Sequence, residues 1–159
     1  MSRSHAWVKK GCEFVQRTPT NWGKNLTLLG AIRSTGWVQL STMFETTNKV
    51  RFVWWLQHKL LPRLHRGDVL ILDNLSAHHD VRVVPLCRQR GIRVIYLPPY
   101  SPDFNPIESG WALQKQFVRR HAPRSTELLL CLARRARHRI TPRHCLNWFA
   151  HCGYPVQIR

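Results

Sequence analysis

A chain of 159 residues buries one core and leaves little for a second domain. With 43% hydrophobic residues, seven Trp and six Phe among them, it is not a disordered polymer. Twenty-five Lys and Arg against eight acids give a formal net charge of +17, which points to a polyanionic partner, nucleic acid first, although a solvated basic surface has the same composition.

In chain order, residues 26–32 and 37–43 are apolar, β-prone runs separated by Arg33-Ser34-Thr35-Gly36, which predicts a β-hairpin. Thr46 and Thr47 are placed to cap a helix running to about Leu61, with Val50, Phe52, Val53, Trp54, Leu56 and Leu60 as its apolar positions and Pro62 as its end. Val69-Leu70-Ile71-Leu72 has the continuous apolar character of a strand buried on both faces. Residues 79–90 predict a helix that Pro85 kinks or delays and Gly91 stops, and residues 92–97 predict a second buried strand. Strand, helix and strand at this spacing make a right-handed βαβ unit with parallel pairing.

A Pro-rich loop, residues 98–104, then leads into a helix from Asn105 to about His121, and two more helical segments follow near residues 125–139 and 142–151. The last contains His144-Cys145 and His151-Cys152, a pairing that raises zinc. Leu146, Trp148 and Phe149 give the segment an amphipathic pattern and no second pair completes a tetrahedral site, so packing is the expectation. The five Cys, with Cys12, Cys87 and Cys131 completing the set, are odd in number and lack C-x-x-C spacing, which predicts free thiols in a reducing compartment. No apolar stretch reaches the ~20 residues that cross a bilayer, and residues 1–7 lack a leader's apolar core. The expected location is the cytoplasm, with no membrane partner.

Two acids sit where chemistry is placed in such a fold. Asp73 follows a buried parallel strand, at the sheet edge where open α/β sheets bind ligands. Glu108 lies in the first turn of the helix after the Pro-rich loop, with 34 residues between it and Asp73, and the βαβ geometry returns that loop to the same edge. Paired carboxylates suit Mg²⁺ or Mn²⁺ and phosphodiester cleavage. Each acid also has a plain structural reading: Asn105-Pro106-Ile107-Glu108 has the form of a capping box, Asp73-Asn74 that of a turn, and Asp80 that of a helix cap. On the helical wheel Ile107, Trp111, Leu113, Phe117 and Val118 form the buried arc, while Glu108 lies with Lys115 and Arg119 on the opposite side. That face fits a metal and phosphate track, and it fits an ordinary solvated face.

The run Leu70-Ile71-Leu72-Asp73-Asn74-Leu75-Ser76-Ala77-His78, followed by Gly91-Ile92-Arg93-Val94-Ile95-Tyr96-Leu97-Pro98-Pro99-Tyr100-Ser101-Pro102-Asp103-Phe104-Asn105-Pro106-Ile107-Glu108 and then Trp111, closely resembles the catalytic region of mariner-like DDE transposases, most of all their bacterial insertion-sequence branch. The resemblance extends over essentially the whole chain. It implies an α/β, RNase H-like fold with a mixed sheet flanked by helices, and Asp73 and Glu108 as the second and third catalytic and metal-holding acids. It further implies Mg²⁺ or Mn²⁺ as cofactor, DNA as partner, cleavage at element ends, and strand transfer; Lys115, Arg119 and Arg120 on the same helix are the candidate contacts to the DNA backbone.

That family uses three acids. The first belongs to a strand just before a segment resembling residues 3–8, so the expectation is a single partial catalytic domain over residues 1–159 that lacks the central first strand, its Asp, and the N-terminal helix-turn-helix region. Glu13, Glu45 and Asp68 do not occupy the missing place. Loss of a central strand orphans backbone groups at about 1–3 kcal/mol each, against a stability of about 5–15 kcal/mol. Met1 then reads as an internal methionine of a longer frame, and the product as inactive alone, working if at all as a homodimer or beside a complementing transposase. Two other readings stand. One is a non-enzymatic basic module held to DNA by Arg134, Arg135, Arg137, Arg139 and Arg143; the other is a two-carboxylate nuclease with His78 or His79 as local third ligand, against a purely structural role for either His.

Overall fold

The computed structural model describes residues 9–10 and 25–156. The expectations placed on residues 3–8, Cys12 and Glu13 lie outside the described residues. The predicted hairpin is present as antiparallel strands β1 (Thr27–Arg33) and β2 (Gly36–Met43), with a bulge at Ala31/Ile32.

Helix α1 (Lys49–Trp55) starts at Asn48 and not at Thr46 or Thr47. The Asn48 side chain accepts the Arg51 N–H at 2.9 Å, which satisfies one of the free amides of the first turn. The helix continues as one π turn (Leu56–Leu60) and a 3-10 turn (Leu61–Arg63) that contains Pro62. Phe52, Val53, Trp55, Leu56 and Leu60 are buried, but Val50 and Trp54 are 64% and 54% exposed. At about 100° per residue those two share the flank opposite Phe52 and Leu56.

Strands β3 (Val69–Leu72) and β4 (Arg93–Tyr96) pair in parallel, joined by a 3-10 turn (Ser76–His79) and helix α2 (Val83–Gln89). Pro85 is the third residue of α2, where a missing N–H costs little, so it delays the helix and does not kink it. Asp80 is no helix cap; it accepts the Arg82 N–H at 3.0 Å and pairs with the Arg82 guanidinium at 2.8 Å. Gly91, at φ +68°, turns the chain out of α2 into β4. The strands are not buried on both faces: Leu70 and Leu72 are buried while Val69 and Ile95 are exposed, because the core covers one face only.

Leu29 of β1, Phe52, Leu56, Leu60, Leu70, Leu72, Val83, Cys87 and Ile92 make one apolar cluster. The two small sheets, β1-β2 and β3-β4, therefore share a core. Burial pushes the Cys87 thiol up to about 11, which keeps it neutral and inert. Cys87, Cys131, Cys145 and Cys152 are all free.

Three helices complete the chain: α3 (Ile107–His121), α4 (Thr126–Ala136) capped by Ser125, and α5 (Pro142–His151). His144 completes a capping box with Thr141 and stacks on Trp148. The buried line of α3 is Gly110, Gln114 and Val118, a rotation of the expected arc that leaves Ile107, Trp111, Leu113 and Phe117 half-buried on its flanks. The small Gly110 lets Ile140 and Trp148 come close, and this sets the rotation. Trp111 lies over β1, where a Cβ on Gly30 would sit 2.7 Å from its ring and 2.8 Å from Trp37. No helix among the described residues is long and apolar enough to cross a membrane.

Candidate active site

Asp73 directly follows the last residue of β3, at the C-terminal edge of the parallel pair. Its Oδ1 accepts the Leu75 N–H at 3.1 Å and lies 2.7 Å from Nδ1 of His78. Both contacts fall on one oxygen, and Oδ2 has no partner among the described residues. The His78 hydrogen bond, helped by the Leu75 N–H, outweighs the partial burial and holds the Asp73 carboxyl below its ordinary range. The group is an ionised carboxylate with one edge fixed and one edge bare.

His78 is itself well held. Its side chain is 13% exposed, its ring lies 4.3 Å from that of Phe52, and its carbonyl accepts the Tyr96 hydroxyl at 2.9 Å. His79 instead stacks on Tyr96 at 4.5 Å and hydrogen-bonds the Asn74 side chain. The 3-10 turn after Asp73 produces this arrangement by bringing the fifth residue back onto the acid. Sequence reasoning weighed His78 as a ligand or a structural residue and did not foresee the contact; the only trace of it is a His five places after a strand-ending Asp.

The Leu97 N–H pairs with the Leu72 carbonyl at 2.8 Å, so the Pro-rich loop departs beside Asp73. In that loop Tyr100 has φ +55° with a fully exposed ring, strain of the kind that gathers at functional sites. A 3-10 turn (Pro102–Phe104) follows, and the Tyr154 hydroxyl ties its Phe104 carbonyl to the C-terminal segment at 2.8 Å. Glu108 is the second residue of α3 and is exposed. The capping box is not formed: Pro106 stands at the cap with no side-chain bond, and the Glu108 N–H donates to the Asn105 carbonyl at 3.1 Å. The Glu108 carboxylate has no ion-pair partner among the described residues. Lys115, Arg119 and Arg120 are likewise exposed and without ion pairs among the described residues.

The fold thus joins Asp73 to His78 and leaves Glu108 outside that contact. Among the described residues, no group of three or more His, Cys, Asp or Glu side chains is arranged to hold a metal ion. Asp73 keeps one oxygen without a partner among the described residues, and Glu108 is exposed.

Residues 1–129 match the family of DDE superfamily endonucleases. No curated protein matches the chain. Among solved structures it is similar to a Mos1 mariner paired end complex with Mn, at a TM-score of 0.69 and 18% identity over 95% of this chain and 48% of that one. It is similar also to a Mos1 transposase paired-end complex with left transposon end, at 0.57 and 20% over 96% and 52%, and to a Mos1 strand transfer complex, at 0.55 and 20% over 98% and 52%. The chain spans about half the length of these structures. At such identities the likeness speaks to fold, and it agrees with the expected RNase H-like, mixed α/β arrangement of small sheets flanked by helices. With the family match covering most of its length, the chain belongs to the DDE superfamily of endonucleases.

Proposed function

We propose that the chain is part of the catalytic domain of a mariner-like DNA transposase of the bacterial insertion-sequence branch. Asp73 and Glu108 are its metal-holding catalytic acids, and Lys115, Arg119 and Arg120 carry the DNA backbone along α3. The observation behind this reading is the bare Oδ2 edge of Asp73 at the C-terminal edge of the sheet, with His78 and the Leu75 N–H holding the other oxygen. The Mos1 complexes similar in fold are named for transposon ends and strand transfer, which supports DNA as substrate.

The donor set fits Mg²⁺ or Mn²⁺. Such ions take hard oxygen ligands, and Mg²⁺ in particular binds through one or two carboxylates with waters and substrate phosphate, not in an all-protein cage. Asp73 and Glu108 offer carboxylate oxygens of that kind, and Mn is named in one of the similar complexes. When bound, the ions supply charge stabilisation to the attacking and leaving oxygens of a phosphodiester. The chain's own contribution is positional. His78 fixes Asp73 through Oδ1 and leaves Oδ2 to the ligand, while the exposed cations of α3 set the strand beside Glu108.

The reading calls for a third acid. Among the described residues no third acid joins them, so the third carboxylate comes from outside the described residues or from a complementing transposase subunit. On this reading the chain by itself binds DNA, and cutting waits on that third carboxylate. The test is cleavage of transposon-end DNA in Mg²⁺ by the chain and by an N-terminally extended form carrying an Asp strand. Cleavage is expected from the extended form only, and Asp73→Ala or Glu108→Ala abolishes it. Cleavage by the unextended chain that Glu108→Ala abolishes would overturn the third-acid requirement. Extended forms that bind DNA and never cut it would leave the chain a non-enzymatic basic DNA-binding module.

A further inference from the structure

A cleft of about 570 Å³ opens between the second half of β2, the α1 helix with its π continuation, and the end of α4. Neither Asp73, Glu108 nor the cations of α3 line it. Its walls carry Lys59, Arg134, Arg135 and Arg137, and no carboxylate. The three arginines form no ion pair among the described residues. The Lys59 ammonium is held over the Trp54 ring, 5.6 Å from its centre, and His58 stacks on the same ring at 5.0 Å.

Ser41 also lines the cleft. Its hydroxyl oxygen accepts the Trp55 indole N–H and the Gln39 amide N–H, each at 2.9 Å. A hydroxyl with both lone pairs engaged has only its proton left to offer, and no acceptor for it appears among the described residues. An uncommitted O–H donor in the same lining as four cations, with no acid among them, is matched by an anionic oxygen.

We infer that this cleft is a second phosphodiester-binding site, which takes the sugar-phosphate backbone of DNA held elsewhere by the chain. The inference rests on the DNA-directed reading proposed above and adds a contact face outside α3. The cations come from the π turn after α1, from α4 and from the 3-10 turn that follows it (Arg137–Arg139), and their side chains are exposed. That suits a strand tracked along its backbone better than one small anion enclosed on all sides.

The test is DNA affinity as a function of salt, by fluorescence anisotropy of the full 159-residue chain with a labelled duplex of mixed sequence and no divalent ion. Each lost phosphate contact lowers the slope of log K against log salt by about 0.9. R134Q/R135Q/R137Q is therefore expected to lower it by about 2 to 3, and K59Q alone by about 1. R139Q/R143Q removes two charges from the same stretch but not from the cleft, and is expected to change the slope less per charge. Ser41→Ala weakens binding a few-fold at constant slope. All the substituted basic residues are exposed, and an unchanged thermal midpoint certifies the fold.

Equal loss per charge from the cleft and from the control pair would overturn the inference, since bulk charge then explains the binding. So would tight calorimetric binding of inorganic phosphate that the cleft substitutions remove while duplex affinity stays intact, which marks a small-anion site. If the unsubstituted chain shows no salt-dependent DNA binding, the DNA-directed reading itself fails. If it binds and only the cleft variants are silent, that reading survives and the second site does not.

Discussion

The strand region and the C-terminal helices solve the problem of burial differently. Between Thr27 and Tyr96 the interior is a continuous apolar cluster, with Leu56, Val83 and Cys87 fully shielded. In α3 to α5 the larger apolar residues Val118, Leu132 and Ile140 share the interior with small or polar groups: Gly110, Ala133, Ala136, Cys145 and the buried amide of Gln114. Charge divides along the same line. Residues 27–104 carry five acids against ten Lys and Arg, whereas residues 107–151 carry two acids against nine. The acid that has to be held firmly, Asp73, stands on the well-packed sheet edge, while none of the nine cations of the helical region forms an ion pair among the described residues. Rigid support for a ligand carboxylate and a more yielding surface for a long polyanion are separate demands, and the chain meets them in separate places.

The largest effect expected from this contrast is in the apolar cluster. Leu56→Ala empties a fully buried site in the π turn and is expected to cost about 2–5 kcal/mol. Leu132→Ala, in the helical region, falls at the lower end of that range, because its neighbours Ala133 and Ala136 are small and make fewer contacts to lose. Denaturant unfolding of both variants measures the difference. A larger loss at Leu132 would reverse the ranking of the two regions.

Gly30 joins the two regions, since Trp111 of α3 lies against it. A Cβ there would meet the Trp111 ring at 2.7 Å, and overpacking of this kind costs about 1–3 kcal/mol. Gly30→Ala is expected to lower the thermal midpoint and to shift the tryptophan emission as α3 moves off β1. In a cleavage-competent form it also reduces activity, because Glu108 stands one turn before Trp111. Gly110→Ala is the contrasting change. Its Cβ would sit 3.4 Å from Ile140, so the gain in helix propensity, up to about 1 kcal/mol, offsets the tighter contact. If both substitutions proved neutral, the β1–α3 contact would not be what positions the helix.

The two regions were also unequally legible. The hairpin, the two parallel strands and the stop at Gly91 follow from apolar runs and from glycine and proline punctuation, which act locally. The start of α1 did not follow, because Thr46, Thr47 and Asn48 are all able to cap and only tertiary contacts choose among them. The buried face of α3 misled the reading for a related reason. Apolar periodicity favours Leu113 and Phe117, while close approach of α5 is permitted only along the line of Gly110. At the candidate site the positions of Asp73 and Glu108 on their elements were readable from the spacing. The clasp of His78 on Oδ1 was not, since it depends on a 3-10 turn that no periodicity announces.

The smallest expected effect lies at Gln114, and it probes why the helical region is the softer one. The side chain is 2% exposed, and neither its carbonyl oxygen nor its amide nitrogen has a hydrogen-bond partner among the described residues. Leaving such groups unpaired costs about 1–3 kcal/mol relative to a satisfied site. Leucine is close in size and carries no polar atom, although its branched end does not trace the flat amide, and the misfit takes back part of the gain. Gln114→Leu is therefore expected to stabilise the chain by about 1 kcal/mol, read as a shift in denaturant midpoint at unchanged slope. Gln114→Glu moves the other way, because it places an unpaired carboxylate in the same enclosure. A marked loss of stability in Gln114→Leu would mean that the amide is satisfied in solution by an ordered water or by a segment outside the described residues. The interior of α3 to α5 would then be a polar junction built to receive that partner, and its lighter packing would be a property of the junction and not of the helices themselves.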